Sequence, residues 1–276
     1  MRRAAIASAA ALLAVGGFAL ATPGAFGGFT ANIANTADTV GTAPYFQCAS
    51  ALGADSSTVL LQWPLSDPSG STSAADISGQ NHPGTYSGTM TASSPSPIAC
   101  PRDPGTAWLL DGSAQTAVYP TQQTGPNTFS IEIWFRTSVA GGKLIGFGTN
   151  TGISGQYDRH LYLDKNGAVV FGVYANAIKT VRTSTTTYAD GRWHSAVGTL
   201  SSAGMALYVD GALIASDSTV TTGEADSGYW KVGYDTLGGS WPNVASPYFT
   251  GSLRYAAVYS TALTAAQVKT HDAAGR

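Results

Sequence analysis

The stretch Gly191–Ser216 reads GRWHSAVGTLSSAGMALYVDGALIAS. It holds two runs of strand composition, Trp193–Leu200 and Met205–Val209, and the start of a third at Ala212. Asp210-Gly211 separates the last two. A two-residue Asp-Gly link between apolar runs predicts a β-hairpin, because a type I′ turn needs φ > 0 at both central positions.

Similar signals recur on either side. Phe129–Thr137 (FSIEIWFRT) alternates: Phe129, Ile131, Ile133 and Phe135 point one way, Ser130, Glu132, Trp134 and Arg136 the other. That pattern predicts a strand with one face on a core and the other solvated. Val59–Pro64, Ala107–Asp111, Ala117–Tyr119, Lys143–Gly148, Tyr229–Tyr234 and Phe249–Tyr259 read as further strands. Leu161–Asp164 and Ala168–Tyr174 flank Asn166-Gly167, a second expected primed-turn hairpin. Thr264–His271 reads as a short helix with Thr264 as N-cap. About a dozen short strands with regular turn signals predict an all-β fold, a two-sheet antiparallel sandwich. Trp63, Trp108 and Trp193 lie in strand-like runs and are expected in its core.

The composition fits an exported β-protein: 43% hydrophobic residues, only 11% charged, and 33 glycines in 276 residues. A net charge of −2 offers no pull toward nucleic acid or an anionic membrane. Residues 1–28 read as a signal peptide: Arg2 and Arg3 precede an Ala-rich apolar run to Ala21, then small residues. The competing reading, a membrane anchor, is weakened by the dilution of that run with Ala and Gly. A secreted or surface-associated protein, not embedded in the membrane in its mature form, is therefore expected. Residues 29–56 form a polar N-terminal arm, and 57–276 a single domain. Cys48 and Cys100 are the only cysteines, and in an exported chain they are expected to pair.

Several motifs carry a resemblance. Trp193-His194 heads one strand and Leu207-Tyr208-Val209-Asp210-Gly211 closes the next. Tyr229-Trp230-Lys231-Val232-Gly233, Ser240-Trp241-Pro242-Asn243 and Val258-Tyr259 follow later in the chain. Together they resemble the LamG-like (laminin G, concanavalin A-like) jelly-roll domains. The resemblance implies a jelly-roll sandwich and, for His194, a structural place at a strand start. It also raises a structural calcium ion, held by an acid in the Asp-x-Ser-Gly opening and another in the final strand. Asp76 matches the first position, but the second holds Arg254 in Gly251-Ser252-Leu253-Arg254, so no cofactor is expected on balance.

Glycoside hydrolases share this architecture and need two carboxyl groups flanking the scissile bond. Glu132 has no second acid on its face of the strand, and Asp158-Arg159-His160 reads as a loop ion pair. A non-catalytic binding module for a glycan or a cell-surface or matrix component is the first reading. An adhesive envelope protein without a small ligand is the second, and a hydrolase the last. Aromatic and polar side chains on loops are the expected sugar contacts: Trp241, Asn243 and Asp235 in one loop, Tyr157 and Arg159 in another.

Overall fold

The computed structural model describes residues 47–276 apart from Thr185. The expected signal peptide and the first part of the polar arm lie outside the described residues. Helix α1 (Cys48–Gly53) comes first, then strands β1 (Val59–Trp63), β2 (Ser73–Ala74), β3 (Gly84–Ser87), β4 (Thr91–Ser93), β5 (Ala107–Asp111) and β6 (Thr116–Val118). There follow β7 (Gln123–Thr124), β8 (Phe129–Arg136), β9 (Lys143–Gly148), β10 (Tyr157–Leu163), β11 (Val169–Tyr174) and β12 (Ile178–Arg182). The chain closes with β13 (Trp193–Ser201), β14 (Gly204–Val209), β15 (Ala212–Asp217), β16 (Ser227–Gly233), β17 (Thr250–Tyr259) and helix α2 (Ala265–Gly275).

The strands form two antiparallel sheets. One runs β15-β14-β13-β8-β17-β5-β4, with β1 also on β17. The other runs β12-β11-β10-β9-β16-β6-β3-β2, with β7 also on β16. Hairpin runs such as β13-β14-β15 and β9-β10-β11-β12 are joined to strands distant in sequence at β13-β8, β8-β17, β17-β5, β9-β16 and β16-β6, as a jelly roll requires. The core between the sheets is built from the inward half of each alternation, including Phe129, Ile131, Ile133 and Phe135 of β8, Leu161 of β10, Phe171 of β11 and Trp230 of β16. Trp63 and Trp108 lie there as expected, whereas Trp193 does not.

Trp193 belongs to a second apolar layer outside the first sheet, with Trp134, Tyr259, Leu52, Val268 and the two cysteines. This corrects the reading of β8. Its outward side chains are not solvated: Ser130, Glu132 and Trp134 are as buried as the inward ones. Helices α1 and α2 cover them, so the first sheet is sandwiched in turn. The covering layer is fastened at both ends. The Cys48–Cys100 disulfide forms, with Cα atoms 5.7 Å apart, and ties α1 to the loop before β5. Thr264 caps α2 in a reciprocal capping box with Gln267.

The two expected hairpins differ. Between β14 and β15, Asp210 and Gly211 have φ of 52° and 74°, the signs of a type I′ turn. Between β10 and β11 the link is longer. The Asp164 carboxylate accepts from the backbone N–H groups of Asn166 (2.7 Å) and Ala168 (3.0 Å), and only Gly167 takes a positive φ. The side chain of Asp164 organises this turn, so the two-residue primed form gives way to a looped one.

His194 holds the first turn. Its Nδ1 lies 2.8 Å from Asp210 and its Nε2 3.0 Å from Asp190. Burial alone would lower its pKa, but the hydrogen bonds and charge of these two acids outweigh that and raise it.

Candidate functional site

The outer face of the second sheet carries the site. On β10 and β11, Leu161 and Phe171 pair and face the core, so His160, Tyr162, Val170 and Gly172 face outward. Residues 235–247 fold across this face. The Trp241 indole sits edge-on against His160, with ring centroids 4.1 Å apart. Gly172 makes room for it: a Cβ there would stand 2.5 Å from Trp241 Cζ3. Tyr162 donates to the Pro242 carbonyl (3.0 Å), and Gly238 N–H donates to the Tyr157 hydroxyl (2.9 Å).

A groove of about 380 Å³ opens beside this loop, with Tyr157, Tyr174, Ile178 and the edge of Trp241 as its apolar walls. Gln156, Glu224, Ser240 and the backbone of Gly238 and Gly239 add polar groups. Tyr174 is exposed, and the hydroxyls of Tyr174 and Ser240 make no hydrogen bond among the described residues. Gln156 Nε2 donates to Glu224 Oε1 (3.0 Å), and the Gln156 amide oxygen and Glu224 Oε2 have no hydrogen-bond partner among the described residues. Burial, and then the nearby charges of Asp226 and Asp158, raise the Glu224 pKa.

The five expected contact residues divide. Trp241 and Tyr157 line the groove, though Trp241 is only 6% exposed and does not present an open ring face. Asn243 is exposed farther along the loop, where its carbonyl accepts from Lys165 N–H (2.8 Å). Asp235 and Arg159 are corrections, because both are buried outside the groove's lining and turn their charges onto ion pairs within the protein. Arg159 pairs with Asp158 at 2.5 Å and donates to the Pro126 and Glu224 carbonyls. The Asp158-Arg159-His160 stretch is thus part of β10 rather than a loop. Its register slips at a bulge where Arg159 takes φ of 46°. Tyr174 and Glu224 were not singled out from the sequence. Tyr174 ends an otherwise buried strand, the one signal that could have found it.

Beneath the loop lies a charged cluster. Lys231 donates to Asp235 (3.0 Å), to Ser154 Oγ (3.0 Å) and to the Gly152 carbonyl. Lys143, also buried, lies 3.7 Å from Asp235. Gly148 leaves the space that this cluster fills; a Cβ there would stand 2.4 Å from Asp235 Oδ2 and 2.2 Å from Ser154 Oγ.

The residues present do not fit a calcium ion at the position the resemblance raised. Each Asp76 oxygen already accepts two hydrogen bonds: Oδ1 from Gln62 and Ser78 N–H, Oδ2 from Ser78 Oγ and His82 N–H. Burial raises the Asp76 pKa, but these four donors together lower it. Arg254 is buried and gathers the carbonyls of Ala99, Cys100, Asp103 and Pro104. A guanidinium takes the backbone oxygens there.

A larger groove, about 480 Å³, lies on the outer face of the first sheet between Pro97, Ile98, Trp134 and Trp193. Several of its polar groups are bonded within the protein, although Trp134 Nε1 has no partner among the described residues. Arg136 Nε donates to Gly191, Trp193 Nε1 to Pro97, and Arg276 to Asp210 and Asp272.

A profile of the concanavalin A-like lectin/glucanases superfamily matches residues 111–269. The chain belongs to this superfamily. No curated protein is detectably similar to it. Among solved structures, it is similar to domain 4 of AbnA, an extracellular arabinanase of Geobacillus stearothermophilus, in complex with arabinotriose. That likeness has 16% identity and a TM-score of 0.51, over 78% of this chain and 98% of that one. A Trypanosoma rangeli sialidase in complex with sialic acid matches with 14% identity and a TM-score of 0.52, over 78% of this chain and 33% of the sialidase. The binding domain of botulinum neurotoxin serotype D/C matches at 15% identity and 0.53, over 79% and 52%. At these identities the likeness shows the superfamily's fold alone. Among the described residues, no helix is long and apolar enough to cross a membrane.

Proposed function

We propose that this superfamily member is a secreted carbohydrate-binding module, and that its ligand, a glycan of a cell surface or matrix, lies in the groove beside residues 235–247. The carrying observation is the groove's lining: two tyrosines and an indole edge beside the unbonded hydroxyls of Tyr174 and Ser240 and a Gln156–Glu224 pair that satisfies only one oxygen of the carboxylate. Sugars present both C–H faces and hydroxyls, and a site of this mixed character meets both. The larger groove offers mainly apolar walls, with Arg136, Trp193 and Arg276 already bonded within the protein, a poorer match to a hydroxylated ligand.

The reading is non-catalytic. The groove has one acid in its lining, Glu224. The neighbouring Asp158 and Asp226 turn onto Arg159, at 2.5 and 3.4 Å. Glu132 is sealed beneath α2, with His271 2.8 Å away. Glycosidic cleavage by the usual routes takes two carboxyl groups at one bond. The disulfide and the signal-like leader support export.

The test is a glycan array on the chain, with arabino-oligosaccharides among the probes because a domain of the same fold carries arabinotriose. A binding glycan should lose at least tenfold in affinity on Tyr174→Ala, with the melting temperature unchanged. A blank array with retained adherence to cell-wall material would favour the adhesive alternative. Release of reducing sugar, abolished by Glu224→Gln, would refute the non-catalytic reading.

A further inference from the structure

The cluster under the loop has a division of labour that ligand binding does not explain. Lys143 opens β9, and Asp235 follows the end of β16; both are 1% exposed. Lys143 Nζ stands 3.7 Å from Asp235 Oδ2, within ion-pair range but longer than a hydrogen bond. Neither atom has a hydrogen-bond partner among the described residues. The other carboxylate oxygen is held firmly: Oδ1 accepts from Lys231 Nζ (3.0 Å) and from Ser154 N–H (3.2 Å). Lys231 directs its three protons at Asp235, Ser154 and Gly152; burial lowers its pKa, and the charge and hydrogen bond of Asp235 oppose that. Lys143 has only the ring of Tyr157, 4.7 Å below its nitrogen.

We propose that Lys143 and Asp235 condense into an isopeptide bond that fastens β9 to the segment after β16. Lys143 passes one proton to Asp235 Oδ2, and its neutral nitrogen attacks Cγ of the carboxylic acid so formed. The negative charge of the tetrahedral species develops on Oδ1, where the Lys231 ammonium and the Ser154 amide already point. The Cγ–Oδ2 bond breaks, and Oδ2 leaves as water with two of the three protons the ammonium began with. An ammonium and a carboxylate become one amide and one water, so charge and atoms balance without a co-reactant.

Three features favour the step. Burial, the largest effect, pushes the Lys143 pKa down to about 8, and the Lys231 charge adds to it against the pull of Asp235. A deprotonated amine is therefore accessible near neutral pH. The pair is held together by the sheet and the loop, which removes the entropic cost of encounter. Burying an ion pair is unfavourable unless every hydrogen bond is satisfied, and here two are missing, whereas an amide carries no charge.

Tryptic digestion of the chain with mass spectrometry decides the matter without a variant. Trypsin does not cut after an acylated lysine. The bond predicts that peptide 137–159, uncut at Lys143, is joined to peptide 232–254, and that the pair is lighter by one water than the two together. Lys143→Arg should return separate peptides. Recovery from the wild-type chain of free 137–143, 144–159 and 232–254, after prolonged incubation at about the Lys143 pKa, would overturn the proposal. So would linkage through Lys231.

Discussion

Glu132→Gln offers the sharpest test of the outer layer. Glu132 is buried on the outward face of β8, where His271 of α2 approaches it at 2.8 Å; the other imidazole nitrogen lies 3.0 Å from Asp55. Burial by itself would lower the His271 pKa, but the charge and hydrogen bonds of the two carboxylates raise it. The sign follows. At pH below the unfolded value of about 6.5, His271 is protonated in both states and its pairing contributes in full. As pH rises through the higher folded value, the native state loses that proton too, and the contribution is lost. Breaking a buried pair costs about 3–5 kcal/mol. Gln keeps one hydrogen bond to the imidazole, so about 3 kcal/mol is expected, a large part of the 5–15 kcal/mol by which domains are stable. Urea unfolding of both proteins near pH 6 and near pH 9 should show a large difference at the lower pH and a smaller one at the higher. An equal loss at both, or none at the lower pH, would refute the charged-clamp account. The substitution should leave glycan binding unchanged, since Glu132 is remote from the groove.

Trp241→Ala should cost about 3–5 kcal/mol, as the loss of a large buried ring does, and lower the melting temperature in calorimetry; an unchanged temperature would show that the indole is not packed against His160. Replacing both Cys48 and Cys100 by Ser should cost roughly 4 kcal/mol by the chain-entropy estimate for residues 52 apart, measured by denaturant midpoint under oxidising conditions. Gly172→Ala should displace the indole, because its Cβ would meet Trp241 Cζ3 at 2.5 Å, and the intrinsic fluorescence should shift to the red.

Local patterns in the chain were readable and long-range ones were not. The Asp210-Gly211 turn, β8 and the cap of α2 each rest on neighbouring residues, so composition and period exposed them. The solvated face expected for β8 failed because its cover comes from α1 and α2, far along the sequence; Glu132 and His271 are 139 residues apart. The groove failed in part for a similar reason. Asp235 looks like a loop acid, but Gly148 on another strand leaves a hollow into which it sinks beside two lysines. Arg159 sinks at a bulge that alternation cannot reveal.

The four carbonyls collected by Arg254 bear on where such a protein can work. A diffusible ion holding that loop would make its order depend on supply, and a chelator could empty it. A guanidinium written into the chain is present at one per molecule in any medium and stays charged at every physiological pH. The loop it holds carries Cys100 and borders the larger groove. That wall should therefore keep its shape in calcium-poor surroundings as it does in calcium-rich ones.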